Sequence, residues 1–190
     1  MRAKLDGRLI NAIRELESTF AEMRLKGVVI GGVAASLLSS PRMTHDVDML
    51  VILDIDDAPS LISGLASHGF RPQFDGMAEF AIESRLITVT HTATNTVADI
   101  MLGCMPFEEE LIQRSSKYEL GDITIRLPTP EDLLILKAIA SRPKDIEDIR
   151  NIVLTYPNLD RVRVKHWLQA YGEMMDSPDL WEQTKALLDE

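Results

Sequence analysis

Two aspartates, Asp46 and Asp48, alternate in the run DVDMLVIL, and no other feature of the chain restricts its folding more. A run of this kind forms a strand, and residues two apart on a strand project from one face. The two carboxylates therefore share a face, with Val47, Met49, Val51 and Leu53 on the other. At about 7 Å apart they repel by roughly 2 kcal/mol at an effective dielectric near 20. A fold gains little from holding them together unless a cation sits between them. Just upstream, VVIGGVAASLL reads as a short strand, a glycine pair and a small-residue helix that Pro41 stops. The stretch Val28–Leu53 is thus a candidate site for metal and phosphate.

The whole chain narrows what such a site can serve. Its 190 residues fit one domain or two small ones, with ordinary apolar and charged fractions for a globular protein. A formal net charge of −10 argues against gripping nucleic acid with the whole surface, though it leaves room for a local basic groove. The single cysteine, Cys104, can form neither an internal disulfide nor a cysteine-rich zinc site, which suits a reducing compartment. The N-terminal stretch MRAKLDGRLINAIRELE lacks the apolar core of a signal peptide, and no window approaches a membrane span. A cytoplasmic location is the expectation.

Taken in order, Leu9–Met23 places Leu9, Ile13, Leu16 and Phe20 on one helical face. Asp56 and Asp57 precede Ala58-Pro59 as helix caps, and His68-Gly69 closes the helix that follows. Three strands are expected at Met77–Glu83, Leu86–Thr92 and Thr96–Leu102, then a short helix at Phe107–Gln113 and a strand at Asp122–Leu127. From Pro128 the pattern turns helical: two helices divided near Arg142-Pro143, with Thr129 as N-cap, then helices at Asn158–Gly172 and Pro178–Glu190. The expected organisation is an α/β part over residues 1–127 and a helical part over 128–190.

The segment TVADIML is apolar apart from Asp99, and a lone buried carboxylate is costly unless paired or metal-bound. From a neighbouring strand Asp99 can join Asp46 and Asp48. Three carboxylates holding two Mg²⁺ ions, with Mn²⁺ as the alternative, suit in-line nucleotidyl transfer, with Asp99 as general base. Gly31-Gly32 between strand and helix lets a phosphate approach the helix amides, or simply makes a tight turn. Arg42 has two readings, a phosphate clamp or a loop-stabilising salt bridge, and the Thr44 hydroxyl can bond a triphosphate or orient the loop. By the residues alone, Lys137 reads as a surface lysine, and Asp145 and Asp148 read as helix-surface charges. The run Arg161, Arg163, Lys165, His166 reads as a solvated basic face or a contact for RNA or an acidic partner.

The pattern Gly31-Gly32 followed by Arg42-x-Thr44-x-Asp46-x-Asp48 resembles the signature of the nucleotidyltransferase (DNA polymerase β-like) superfamily. More narrowly it is similar to the abortive-infection type toxin nucleotidyltransferases. Leu136-Lys137-x-x-Ala140, then Arg142-x-Lys144-Asp145-x-x-Asp148-Ile149, is similar to their helical block. The resemblance covers about residues 27–155. It implies an α/β (α+β) fold, with a mixed nucleotidyltransferase sheet flanked by helices and a C-terminal helical bundle completing the site. It also implies triphosphate binding at Gly31 and Gly32, metal binding at Asp46, Asp48 and Asp99, a phosphate contact at Lys137, and a place in the site for Asp145. Gly32 stands where many members have serine. The expected function is Mg²⁺-dependent transfer of a nucleoside monophosphate from an NTP to a hydroxyl of RNA such as tRNA, a protein or a small molecule. A toxin role with an antitoxin protein follows only from the resemblance. The alternative is a nucleotide-binding or interaction module on the same fold without turnover.

Overall fold

A computed structural model describes residues 5–190. Residues 1–4, the start of the stretch read above for a signal peptide, lie outside the described residues. The chain runs α1 (Gly7–Glu22), β1 (Val28–Ile30), α2 (Gly31–Leu38), β2 (Asp46–Ile52), a 3-10 turn (Ile55–Asp57), α3 (Ala58–Ser67), β3 (Phe70–Pro72), α4 (Met77–Ser84), β4 (Leu86–His91) and β5 (Thr96–Gly103). It continues through α5 (Pro106–Arg114), β6 (Ser116–Leu120), β7 (Ile123–Leu127), α6 (Pro130–Ala140), α7 (Pro143–Thr155), α8 (Arg161–Met174) and α9 (Leu180–Leu188). This is the expected mixed α/β architecture with a helical C-terminal region. No described helix is long and apolar enough to cross a membrane.

Five strands form one sheet in the order β1-β2-β5-β4-β3. Only β2 and β5 run parallel, and the other neighbours are antiparallel. β6 and β7 make a separate hairpin. The back of the sheet carries Val47, Met49 and Val51 from β2 and Ala98 and Ile100 from β5, all buried. The amphipathic helix α1 packs against these two strands, burying Ile13, Leu16 and Phe20. The front is divided: carboxylates stand toward the N-terminal ends of β2 and β5, while Leu50 and Met101, register partners one pleat on, make an apolar floor. In the helical region, α6 packs against α2 and α7.

One expected strand is a helix. Met77–Glu83 looks like alternation, but Gly76 at φ 84 turns the chain into α4. Met77 and Ala81, one helical turn apart, are the residues that α4 buries, while Phe80 and Ile82 stay exposed. The capping expectation at Asp56 and Asp57 also shifts. Asp54 caps the 3-10 turn by accepting the Asp56 amide, and Asp57 makes no side-chain cap bond to α3. Thr129 caps α6 as expected, its hydroxyl accepting the Asp132 amide at 3.2 Å.

Glu17 on α1 is out of keeping with its surroundings. Its Oε1 is buried with no hydrogen-bond partner among the described residues. Burial pushes this carboxyl up to about 7, with only the Arg126 charge opposing. The folded value exceeds the ordinary one, so Glu17 favours folding below the ordinary value, and that contribution is lost as pH rises through 7. Glu17→Gln should therefore raise the thermal midpoint at pH 8 and leave it unchanged at pH 4. An equal shift at both pH values would exclude ionisation as the cause.

Candidate active site

The parallel pairing of β2 with β5 sets Asp48 directly opposite Asp99. On the far side of β5, Thr88 of β4 is the partner of Asp99, and its hydroxyl donates to Asp99 Oδ1 at 2.7 Å. This fixes one carboxylate oxygen and leaves the other without a hydrogen-bond partner among the described residues. Asp46 sits two residues back along β2 and is steered by the Thr44 hydroxyl, which donates to its Oδ1 at 2.9 Å. Asp46, Asp48 and Asp99 thus occupy one end of the sheet's front face.

Gly31 opens α2 with φ 62, and a Cβ there would fall within the Asp48 carboxylate. The left-handed backbone and the close approach both require glycine. The Gly32 amide points at Asp48 Oδ2 at 3.4 Å. A Cβ on Gly32 would meet Thr44 Oγ1 and the Arg42 guanidinium. The glycine pair, the Arg42–Thr44 loop and the Asp pair are therefore packed as one unit.

The electrostatics of the two β2 carboxylates diverge. Burial works against the charge on Asp46, but the Thr44 hydroxyl, its own backbone amide and the cations Lys144 and Arg42 outweigh it, holding its carboxyl below the ordinary range. Burial, joined by the charges of Asp46 and Asp99, pushes Asp48 upward, and the Gly32 amide and Lys137 offset only part of this. A divalent cation would relieve such crowding. Among the described residues no three His, Cys, Asp or Glu side chains already converge into a metal cage. The oxygen-only donors Asp48 and Asp99 nevertheless fit Mg²⁺, which binds through one or two carboxylates and completes its shell with water and substrate phosphates.

Gly31, Asp48 and Asp99 open into a cleft of about 620 Å³ between the sheet and α6, and Asp46 is not among its lining residues. Its lining includes Gly31, Asp48, Asp99, Lys137 and Arg142, with Met101 and Ile139 among the apolar walls. Cys104, the exposed single cysteine, lies on its rim.

The remaining expected site residues form a chain of charges. Asp148 accepts both Arg42 Nε at 2.8 Å and Arg42 Nη2 at 3.0 Å. Its Oδ2 also lies 2.8 Å from Lys137 Nζ. Lys137 in turn donates to Asp145 at 3.0 Å, and Asp145 accepts Arg142 Nε at 2.5 Å and the Arg142 amide at 3.3 Å. Burial opposes the charge on Asp145, yet Arg142 and Lys137 together hold its carboxyl below the ordinary range. Two readings made from the residues alone are corrected here. Lys137 is not a surface lysine, being only 3 % exposed. Asp145 and Asp148 are not solvated helix charges, because both are buried against cations from α6 and from the loop before β2. Arg42 shows the salt-bridge arrangement of its two readings. Arg142 and Asp148 stood in the helical block of the resemblance without a site role of their own. Their signal was the spacing Arg142-x-x-Asp145-x-x-Asp148 on a helix start.

The basic run on α8 is largely solvent-facing, as one of its two readings has it: Arg161, Lys165 and His166 are exposed, and Arg163 is half-buried. Arg163 bonds Asp132 at 2.7 Å and Glu110 at 2.6 Å. Arg161 bonds Asp189 at 2.6 Å, and Lys165 lies over the Trp181 ring at 5.9 Å. These cations fasten α8 to α5, α6 and α9.

A protein-family model described as a nucleotidyltransferase of unknown function (DUF6036) matches residues 7–184. Among curated proteins there is no significant match. In fold, the chain is similar to an antigenic nucleotidyltransferase-like protein from Paracoccidioides brasiliensis, at 16 % identity over 94 % of this chain and 92 % of that one, with a TM-score of 0.55. It is also similar to the antibiotic-resistance factor ANT(2'')-Ia, at 13 % identity over 91 % and 96 % of the two chains, with a TM-score of 0.62. A third likeness is to the lincosamide antibiotic adenylyltransferase LnuA, at 16 % identity over 74 % and 94 %, with a TM-score of 0.53.

Proposed function

Because this chain belongs to the DUF6036 nucleotidyltransferase family, we propose that it moves a nucleoside monophosphate from an NTP to an acceptor hydroxyl with Mg²⁺ as cofactor. The observation that carries this reading is the register of Asp48 against Asp99, beside the Gly31-Gly32 turn. Asp48 and Asp99 would hold the metal, and Asp46 would complete the acidic set for a second ion. The metal, when bound, lowers the pKa of the attacking hydroxyl and neutralises phosphate charge. The Gly31-Gly32 turn and the start of α2 receive phosphate oxygens on backbone amides. Thr44 orients Asp46, and Asp99, anchored through Thr88, accepts the proton of the acceptor hydroxyl. The acceptor oxygen bonds to the α-phosphorus, the bond to the bridging oxygen breaks, and pyrophosphate leaves through the glycine side of the cleft.

RNA, protein and small hydroxylated molecules are the acceptor classes to separate. The named antibiotic substrates of two proteins of similar fold support including small molecules. A toxin role and an antitoxin partner rest on the sequence resemblance alone. The decisive experiment supplies each NTP, labelled at the α-phosphate, with Mg²⁺ or Mn²⁺ and a member of each acceptor class. Label transfer accompanied by pyrophosphate is the expected result. Nucleotide binding with neither product, across every acceptor, would make the protein a nucleotide-binding module without turnover.

A further inference from the structure

The chain Arg42–Asp148–Lys137–Asp145–Arg142 alternates in sign; Lys137 and Arg142 both line the cleft but differ sharply in exposure. The central ammonium is buried and stands between two carboxylates, at 3.0 Å from Asp145 and 2.8 Å from Asp148. Two of its three donors are directed at these anions, which weaken its field toward the cleft although its charge still reaches Asp48. Arg42 has its side-chain nitrogens taken up by Asp148 and the Met43 carbonyl. Arg142 differs: its side chain is 56 % exposed and it lines the same cleft as Gly31, Asp48 and Asp99. Asp145 holds its Nε and Nη2, leaving Nη1 without a hydrogen-bond partner among the described residues.

We propose that Arg142 is the cation that grips the β- and γ-phosphates of the NTP, and that Lys137 is a buried positioning residue which sets Arg142 through Asp145. This rests on the nucleotidyl-transfer reading above. A guanidinium held along one edge keeps its other edge as a fixed fork for phosphate oxygens, so little side-chain freedom remains to be lost on binding. The charges of Asp48 and Asp46 also act on Arg142, which puts it within electrostatic reach of the acidic end of the cleft. The resemblance pointed instead to Lys137 for this contact, and the two assignments make opposite predictions.

The test is calorimetric binding of NTP, NDP and NMP with Mg²⁺ to the wild-type chain, Arg142→Ala and Arg142→Lys. Arg142→Ala should raise the Kd for NTP roughly ten- to hundredfold and leave the Kd for NMP unchanged. Binding is measured well below the unfolding midpoint, which falls because buried Asp145 loses one of its two counter-ions. Arg142→Lys should recover only part of the loss, because a point charge lacks the fork. An NTP Kd within twofold of wild type in Arg142→Ala, or an equal loss for NMP, would overturn the assignment alone. A wild-type protein that binds none of the three nucleotides would remove the proposed function together with it.

Discussion

Asp48→Asn is expected to lower nucleotidyl transfer by roughly 10³-fold, the scale of losing one organised electrostatic contact at a reacting centre, without lowering stability. The two effects separate because the Asp48 carboxyl is held above its ordinary pKa by burial and by the charges of Asp46 and Asp99. A carboxyl raised in this way favours folding below its ordinary pKa, and the contribution is lost as pH rises through the folded-state value. Its ionised form therefore opposes folding, and asparagine removes that opposition while keeping an oxygen for the Gly32 amide. The pair of measurements is pyrophosphate release and thermal unfolding on the same preparation. An inactive variant that is also strongly destabilised would mean that Asp48 serves the fold. Activity within tenfold of wild type would take Asp48 out of the site.

Lys137→Met is expected to cost about 3–5 kcal/mol of folding stability, the usual penalty for breaking a buried ion pair from one side. Methionine fills the space of the stem but leaves Asp145 and Asp148 buried with one arginine each. Adding Asp148→Asn should return part of the loss, since the amide no longer needs a counter-ion, giving a favourable coupling in a double-mutant cycle. Denaturant unfolding of the two single variants and the double variant measures this directly. A cost below about 1 kcal/mol for Lys137→Met, in the range of exposed pairs, would show that the ammonium is dispensable to the fold and free to serve a ligand.

Local periodicity carried much of the site. Asp46 and Asp48 share a face because a strand repeats every two residues, and Asp99 was conspicuous because its strand is otherwise apolar. The glycine pair marked the turn because few other residues adopt φ 62 beside a carboxylate. Helix α4 escaped for the opposite reason. Its exposed Phe80 and Ile82 imitate strand alternation, and only the packing of Met77 and Ala81 reveals the period of the helix. The charges of the helical region were the least legible. Asp148 meets an arginine 106 residues earlier, and no local pattern reports such a partner. The same holds for Arg163, whose carboxylates come from α5 and α6 rather than from its own helix. Charge spacing on one helix says where a side chain can point, not which distant segment is waiting to neutralise it.

The turn between α6 and α7 turns this buried network into a constraint on sequence length. α6 ends at Ala140 and α7 begins at Pro143, with Ser141 in the left-handed conformation at φ 51. Lys137 lies on one side of this turn, with Asp145 and Asp148 on the other. Adding or deleting a residue within either helix between Lys137 and Asp148 would swing one face by about 100° relative to the other. The ammonium would then face away from its carboxylates. Insertions and deletions have room at Gln73–Gly76, where a loop joins β3 to α4, and almost none across these two helix ends. The spacing from Lys137 to Asp148 acts as a ruler, and its length matters as much as the residues that mark it.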